Sequence, residues 1–156
     1  MLNLRVALSE VLQLKSKTDL NAALDMARSL VGAKWRHLGR KPWAIDCIGI
    51  VIVSLRAGGV FMQDRTNYGR EPWNDGLEHD LELHFGKPLP ISERQAGDIV
   101  LMQDEMQPAP GHVGIITEIG SVIHSYSMTG VVEHGIDETW LRRMVCVYRP
   151  DWGDAP

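Results

Sequence analysis

The chain lacks the features that mark several common classes of protein. Its two cysteines, Cys47 and Cys146, lie far apart and do not form the framework of a disulfide-stapled protein. The formal net charge is only -4 and the lysines and arginines are scattered, so nothing predicts a nucleic-acid partner or a membrane-binding surface. Arg5 and Glu10 interrupt the apolar N-terminal stretch, which therefore lacks a signal-peptide core and predicts synthesis in the cytoplasm.

What the chain does contain is enough apolar material for one core. Hydrophobic residues make up 44% of the sequence and charged residues 23%, which is typical of a globular protein. No repeat or low-complexity segment divides it. We therefore expect a single domain over residues 1–156.

The predicted elements are helices first and strands second. Thr18 is expected to cap a helix that ends at Gly32, a second helix follows Cys47, and a short one ends at Gly86. Residues 2–15 stay ambiguous between strand and helix. The later elements are predicted as strands at about 98–102, 112–117, 121–126, 131–134 and 144–149, with a short helix near 137–143. This order predicts an α+β, papain-like fold, in which N-terminal helices pack on a C-terminal antiparallel β-sheet.

Cys47 lies in a setting typical of a nucleophile. Asp46 precedes it and can cap a helix, which would place the thiol in the first turn, where backbone N–H groups and the helix dipole lower its pKa. The β-branched residues at 48 and 50–53 favour a strand by propensity, but a helix stop at 56–59 and the uniformly apolar run favour a buried helix. Cys146, in an alternating apolar stretch, is expected to be a core residue without a chemical role.

Two later histidines, His112 and His124, are placed by the geometry of a predicted hairpin. A two-residue loop would put the two rings on opposite faces. A three-residue loop, with Gly120 in the left-handed conformation, sets Gly114 opposite His124 and brings both rings to one face. From these diagonal positions a single hydrogen bond can join them. A cysteine followed by two such histidines predicts a papain-like cysteine hydrolase.

Four segments carry a resemblance to a known family. They are DCIG at 46–49, GDIVL at 97–101, GHVGI at 111–115 and VIH at 122–124. In these segments the chain resembles the NlpC-type cell-wall cysteine peptidases, over about residues 18–151. Three further segments are similar to the phage and gene-transfer-agent branch of that family: GAKWRH at 32–37, WLRR at 140–143 and VYRP at 147–150.

The resemblance implies hydrolysis of an amide by a thiol. Cys47 would be the nucleophile, His112 its base and His124 the residue that orients the base, while N–H groups at the helix start hold the oxyanion and a thioester forms. The implied substrate is the peptidoglycan stem peptide, cut at the γ-D-glutamyl–diaminopimelate bond. A phage or phage-like tail would deliver the enzyme to the periplasm or cell wall, so tail proteins are expected partners. No cofactor is expected.

Further residues are expected to border the cleft. The set comprises Trp35, His37, Asp46, Ile48, Gly111 and His134, with the loop at 103–111 beside them. Trp35 stands where the resembling family usually has a tyrosine, and an indole can donate a hydrogen bond but cannot accept one. Ile48 replaces a residue that is often serine in the wider family. His79 and His84 are instead expected to be solvated residues of a helix.

Two other interpretations remain open. Cys47, His112, His124 and His134 could bind zinc, although the short local spacings of metal-binding pairs are absent and no metal is expected. The chain could also be a tail structural or assembly protein with the same fold and little activity, because a fold does not guarantee a function.

Overall fold

The computed structural model describes residues 17–70 and 75–153. The ambiguous stretch at 2–15 lies outside these residues. The first helix, α1, spans Leu20–Ser29 and is capped by Asp19, whose side chain accepts a hydrogen bond from the Ala22 N–H at 3.0 Å. The prediction that Thr18 is the cap was therefore wrong: the carboxylate one residue later is the group that reaches the free N–H of the first turn.

Helix α2, Cys47–Ala57, follows a small hairpin of strands β1, Arg40–Lys41, and β2, Ala44–Ile45. Asp46 caps it through a 2.7 Å hydrogen bond from the Gly49 N–H, and it ends at Gly58, as the sequence predicts. Its apolar residues are buried on almost every side. Burial of the whole run thus outweighs the strand propensity of its β-branched residues.

The remaining elements are a helix, a 3₁₀ turn, five strands and a second short helix. In chain order they are α3 Leu77–Phe85, the 3₁₀ turn Ile91–Glu93, β3 Ile99–Met102, β4 His112–Ile116, β5 Ser121–Tyr126, β6 Gly130–Gly135, α4 Glu138–Arg143 and β7 Met144–Tyr148. The strands form one antiparallel sheet in the order β6-β5-β4-β3-β7. This confirms the α+β prediction of helices packed on an antiparallel sheet.

Helix α2 lies against the middle of this sheet, on strands β4 and β5. One face of the sheet joins the helices in the main core, and the other carries a smaller apolar cluster that includes Trp140 of α4. The start of α2 therefore lies beside β4, at the point where that strand begins with His112.

The β4–β5 hairpin has the three-residue loop that the sequence predicts. Ile115 pairs with Ile123, and Gly120 has a φ of +74°, in the left-handed region that glycine favours. The same register sets Gly114 opposite His124. An added Cβ at Gly114 would lie 3.1 Å from the His124 Cβ and 2.9 Å from the Ile123 carbonyl oxygen, so the glycine makes room for the histidine.

Two lesser predictions need correction. His84 is not a solvated helix residue: it is half-buried, its Nε2 accepts a hydrogen bond from the Gln63 N–H at 3.2 Å, and its Nδ1 lies 2.7 Å from the Asp80 carbonyl oxygen. The preceding loop folds back onto α3, which no local pattern indicated. Cys146 is half-buried in β7 rather than enclosed in the core. His79 is exposed, as expected.

Candidate active site

A cleft of about 190 Å³ opens where the start of α2 meets strands β4 and β5. The predicted site residues that line it are Trp35, His37, Asp46, Cys47, Ile48, Gly111 and His112. Asp104 and Gln107 line it too, which confirms that the loop at 103–111 borders the cleft. His124 and His134 lie outside its lining. Tyr68, Arg70, Ser125 and Tyr126 also line the cleft, and no sequence pattern had indicated them.

Cys47 is the first residue of α2 and is only 7% exposed. Burial raises the pKa of its thiol to about 12, and the negative charge of Asp46 raises it further. The N–H groups of Val113, Ile48 and Cys47 itself act in the opposite direction without overcoming the burial. The expectation of a lowered thiol pKa was therefore wrong, because the sequence shows the helix start but not the loss of water around it.

His112 stands at the start of β4, next to the Val113 N–H that contacts the Cys47 thiol. Burial lowers the pKa of its imidazole to about 4, and the positive charge of Arg143 adds to this effect. The ring is therefore neutral at neutral pH. A neutral imidazole has one free lone pair, so His112 can accept a proton from a group in the cleft that it shares with the Cys47 thiol.

His124 lies outside the cleft lining and forms a hydrogen bond with His112. The His112 Nε2 lies 2.6 Å from the His124 Nδ1, which confirms the predicted hydrogen bond between the two rings. His124 is 1% exposed, and burial, with the charges of His112 and His134, lowers its pKa to about 2. Its position behind His112 suits a residue that orients the base and does not itself meet the substrate.

His134 does not lie in the wall of the cleft. It is half-buried in β6, on the far side of His124, with its Nε2 2.8 Å from the His124 Nε2. Its Nδ1 lies 2.8 Å from the Gly135 carbonyl oxygen. The structure thus places His134 in a chain of three rings rather than among the groups that a substrate in the cleft would contact.

Aromatic side chains pack around the three rings. Tyr126 meets His112 edge-on, with ring centroids 5.8 Å apart. Trp140 lies 4.9 Å from His124 and 4.5 Å from His134, so a single indole contacts both rings. The Arg143 guanidinium in turn lies 5.0 Å from the Trp140 ring. These contacts explain why α4, only six residues long, belongs to the site.

Asp46 organises the opposite side of the cleft and is 3% exposed. Besides capping α2, it accepts hydrogen bonds from the Leu38 N–H at 2.8 Å, from Arg40 at 2.9 Å and from the Tyr68 hydroxyl at 2.7 Å. Arg40 also donates to the Tyr68 hydroxyl at 2.8 Å and to Asp64. The residue before Cys47 is therefore fixed by four hydrogen bonds.

Trp35 and His37 form the rim of this wall. Their rings stack with centroids 6.5 Å apart, and His37 meets the Tyr68 ring edge-on at 5.7 Å. Tyr68 thereby supplies a hydroxyl to the same wall as Trp35, which has none. No sequence pattern indicated Tyr68 or Arg40. Tyr68 lies 22 residues from its partner Asp46, in a loop with no regular pattern.

The zinc interpretation gains no support from the geometry. Within residues 17–70 and 75–153, no group of three histidine, cysteine, aspartate or glutamate side chains is placed to hold a metal ion. The facing nitrogens of His112, His124 and His134 are instead directed at one another.

In the same part of the chain, no helix combines the length and apolar character needed to cross a bilayer.

A buried cysteine at a helix start, with hydrogen-bonded histidines on the adjoining antiparallel sheet, defines a papain-like α+β protein. Comparison with known protein families identifies one family within this structural class. The chain belongs to the NlpC/P60 family, whose model matches residues 32–149.

Related sequences and solved structures are consistent with this family. A probable endopeptidase of Mycobacterium bovis is 26% identical over 109 residues, and the match covers 69% of this chain and 23% of that protein. The chain therefore spans less than a quarter of that relative's length. NlpC2 from Trichomonas vaginalis has a TM-score of 0.63 at 19% identity, covering 85% of this chain and 46% of that one. The NlpC/p60 domain of the peptidoglycan hydrolase SagA has a TM-score of 0.57 at 19% identity, covering 84% and 98%.

Proposed function

We propose that the protein is a cysteine endopeptidase that hydrolyses amide bonds in the stem peptides of peptidoglycan. The observation that carries the proposal is the cleft itself, in which a helix-start cysteine adjoins a neutral histidine that is held by a second histidine. The names of the relatives support it, since they include a probable endopeptidase and a peptidoglycan hydrolase.

The proposed reaction begins when a substrate carbonyl reaches the Cys47 sulfur. The thiol proton passes to His112 as the sulfur attacks the carbonyl carbon, and the negative oxygen that forms is held by N–H groups at the start of α2. The N–H groups of Cys47 and Ile48 suit this role because the first residues of a helix have no intrahelical acceptor. His112 then returns the proton to the leaving amine as the C–N bond breaks. Water attacks the resulting thioester, again with His112 as base, and restores the thiol.

The pKa values of Cys47 and His112 bear on the timing of the first proton transfer. With the pKa of the thiol raised to about 12 and that of His112 lowered to about 4, the resting pair is a neutral thiol and a neutral imidazole. We therefore infer that the thiolate forms together with the attack, rather than before substrate arrives.

The finer assignment concerns the bond and the route of delivery. The bond proposed is the one between γ-D-glutamate and diaminopimelate, supported by the resemblance of the motifs at 46–49 and 111–115 to the cell-wall peptidases.

Delivery by a phage or phage-like tail is supported by the resemblance of the segments at 32–37 and 140–143 to the phage and gene-transfer-agent branch. Detection of the protein in purified tail particles by mass spectrometry tests the delivery, and its absence from such particles would contradict it.

A muropeptide cleavage assay tests the enzymatic proposal. The purified protein should convert disaccharide-tetrapeptides into products that end in D-glutamate and products that begin with diaminopimelate, as read by mass spectrometry. Cys47→Ala should abolish the conversion, whereas the matched variant Cys146→Ala should retain it, because Cys146 lies in β7 away from the cleft. Cleavage by Cys47→Ala would refute the assignment. An inactive wild-type protein would favour a structural role instead.

A further inference from the structure

The hydrogen-bonded rings of His112 and His124 are followed by a third ring, His134, which in turn bonds to the Gly135 carbonyl oxygen. We propose that His134 is a positioning residue, which fixes the proton-accepting nitrogen of His112 through His124. The proposal rests on the proposed function in one respect only, namely that His112 is the base. It assigns His134 a role that does not involve contact with the substrate.

The hydrogen positions follow from the last acceptor in the chain. The Gly135 carbonyl oxygen can only accept, so the His134 Nδ1 at 2.8 Å must carry a hydrogen. A neutral His134 then has its lone pair on Nε2, which accepts a hydrogen from the His124 Nε2 at 2.8 Å. This leaves the lone pair of His124 on Nδ1, where it accepts from the His112 Nε2 at 2.6 Å.

The free lone pair of His112 consequently lies on Nδ1. Both His112 and His124 have pKa values lowered by burial, to about 4 and about 2, so neutral rings are the forms that this assignment requires. Each ring donates one hydrogen and all but His112 accept one. Only one pattern of hydrogens therefore satisfies the whole chain.

Without His134 the pattern would not be unique. A pair consisting of His112 and His124 alone is satisfied equally well by the reverse arrangement, in which the His124 Nδ1 donates to the His112 Nε2. In that arrangement the hydrogen of His112 lies on Nδ1, and the ring cannot accept a proton there. The Gly135 carbonyl oxygen fixes the hydrogen of His134 on Nδ1, so the reverse arrangement would set the lone pair of the His124 Nε2 against the lone pair of the His134 Nε2 and leave no hydrogen between them.

The packing favours a fixed geometry for this chain. Trp140 contacts both His124 and His134, with ring centroids 4.9 and 4.5 Å away. Neither histidine can rotate far without losing that contact. The third ring is thus held by a side chain outside the hydrogen-bond chain, as is typical of groups that support a catalytic residue.

Three variants test the role of His134. In His134→Leu the acceptor for His124 is lost, whereas His134→Gln can place an amide oxygen near the position of the imidazole Nε2. His79→Leu is the matched control, because His79 is exposed on α3 and outside the site. ¹⁵N NMR of the imidazole groups reports which nitrogen of each ring carries the hydrogen, without any substrate.

In the wild type and in His79→Leu we expect hydrogens on the Nε2 atoms of His112 and His124. In His134→Leu the two rings should show a mixture of tautomers, and muropeptide kcat should fall by about 10- to 100-fold with little change in KM. His134→Gln should restore the wild-type tautomers and most of the kcat. Wild-type tautomers and turnover in His134→Leu would overturn the proposal, as would an equal loss in His134→Gln. If the wild type cleaves no muropeptide, the proposed function fails while the NMR spectra still decide the tautomer assignment.

Discussion

Replacing Gly114 with alanine should damage the site although none of its functional side chains is replaced. The added Cβ would lie 2.9 Å from the Ile123 carbonyl oxygen, 2.9 Å from the Val122 Cγ2 and 3.1 Å from the His124 Cβ. The first of these is a backbone atom in the paired strand β5, so the contact cannot be relieved by a side-chain rotation alone. Strands β4 and β5 must move apart locally, and the 2.6 Å hydrogen bond between His112 and His124 joins those two strands.

The size of the effect follows from the crowding. Overpacking a close-packed site costs typically about 1–3 kcal/mol of folding free energy, which for a domain of this size lowers Tm by roughly 2–12 °C. We expect muropeptide turnover to fall more steeply than stability, because a shift of a fraction of an ångström between the strands displaces His112, the proposed base. Thermal unfolding by circular dichroism and the muropeptide assay, run on the same preparation below the Tm, separate the two effects.

Gly135→Ala is the matched control. Gly135 also lies in the sheet, at the end of β6, but a Cβ built there meets no atom within 4 Å. The free energy of unfolding of this variant should lie within about 0.5 kcal/mol of the wild-type value, as is usual for surface substitutions. If Gly114→Ala kept both the wild-type Tm and the wild-type turnover, the argument that this glycine makes room for His124 would be refuted.

Three further predictions concern the groups around the cleft. Asp46→Ala should lower the free energy of unfolding by about 3–5 kcal/mol in urea denaturation, because it leaves Arg40 and three other donors without this buried partner. Asp46→Asn should lower the free energy of unfolding by less. Equal losses in the two variants would contradict the role of the charge. His124→Asn should keep part of the muropeptide turnover, since an amide oxygen can still accept from His112, whereas His112→Asn should be inactive; equal turnover in the two would contradict the division of roles. The pKa of His112 is about 4 in the folded state and about 6.5 in the unfolded state, so the unfolded state binds more protons between these pH values. The free energy of unfolding should therefore fall as the pH drops from 6.5 to 4. His112→Asn should weaken that fall, as measured by urea titrations at several pH values.

The elements that the sequence predicted well are those governed by local rules. The β4–β5 hairpin follows from the period-two alternation of a strand together with the loop chemistry of Gly120, and both are visible in the sequence. The cap at Asp46 is likewise a matter of a carboxylate that precedes an apolar run. These two rules were enough to place Cys47 at a helix start and to bring His112 and His124 to one face of the sheet.

The parts that the sequence did not predict depend on contacts between distant segments. Tyr68 reaches Asp46 across 22 residues, and His84 meets Gln63 across 21, through loops whose paths no pattern specifies. The predicted direction of the Cys47 pKa shift was wrong for the same reason. The helix start is a local feature, but the burial that raises the pKa comes from the sheet packed against the helix. His134 was assigned to the cleft because its strand was predicted, whereas its true neighbours depend on how β6 pairs with β5.

The raised pKa of Cys47 has a consequence for the lifetime of the protein. Peroxide and other oxidants react with the thiolate form of cysteine, and oxidation beyond the sulfenic acid is not reversed by simple reductants. A thiol that is 7% exposed and held neutral presents little of that form. Burial of Cys47 should therefore slow oxidation of its sulfur relative to an exposed thiolate.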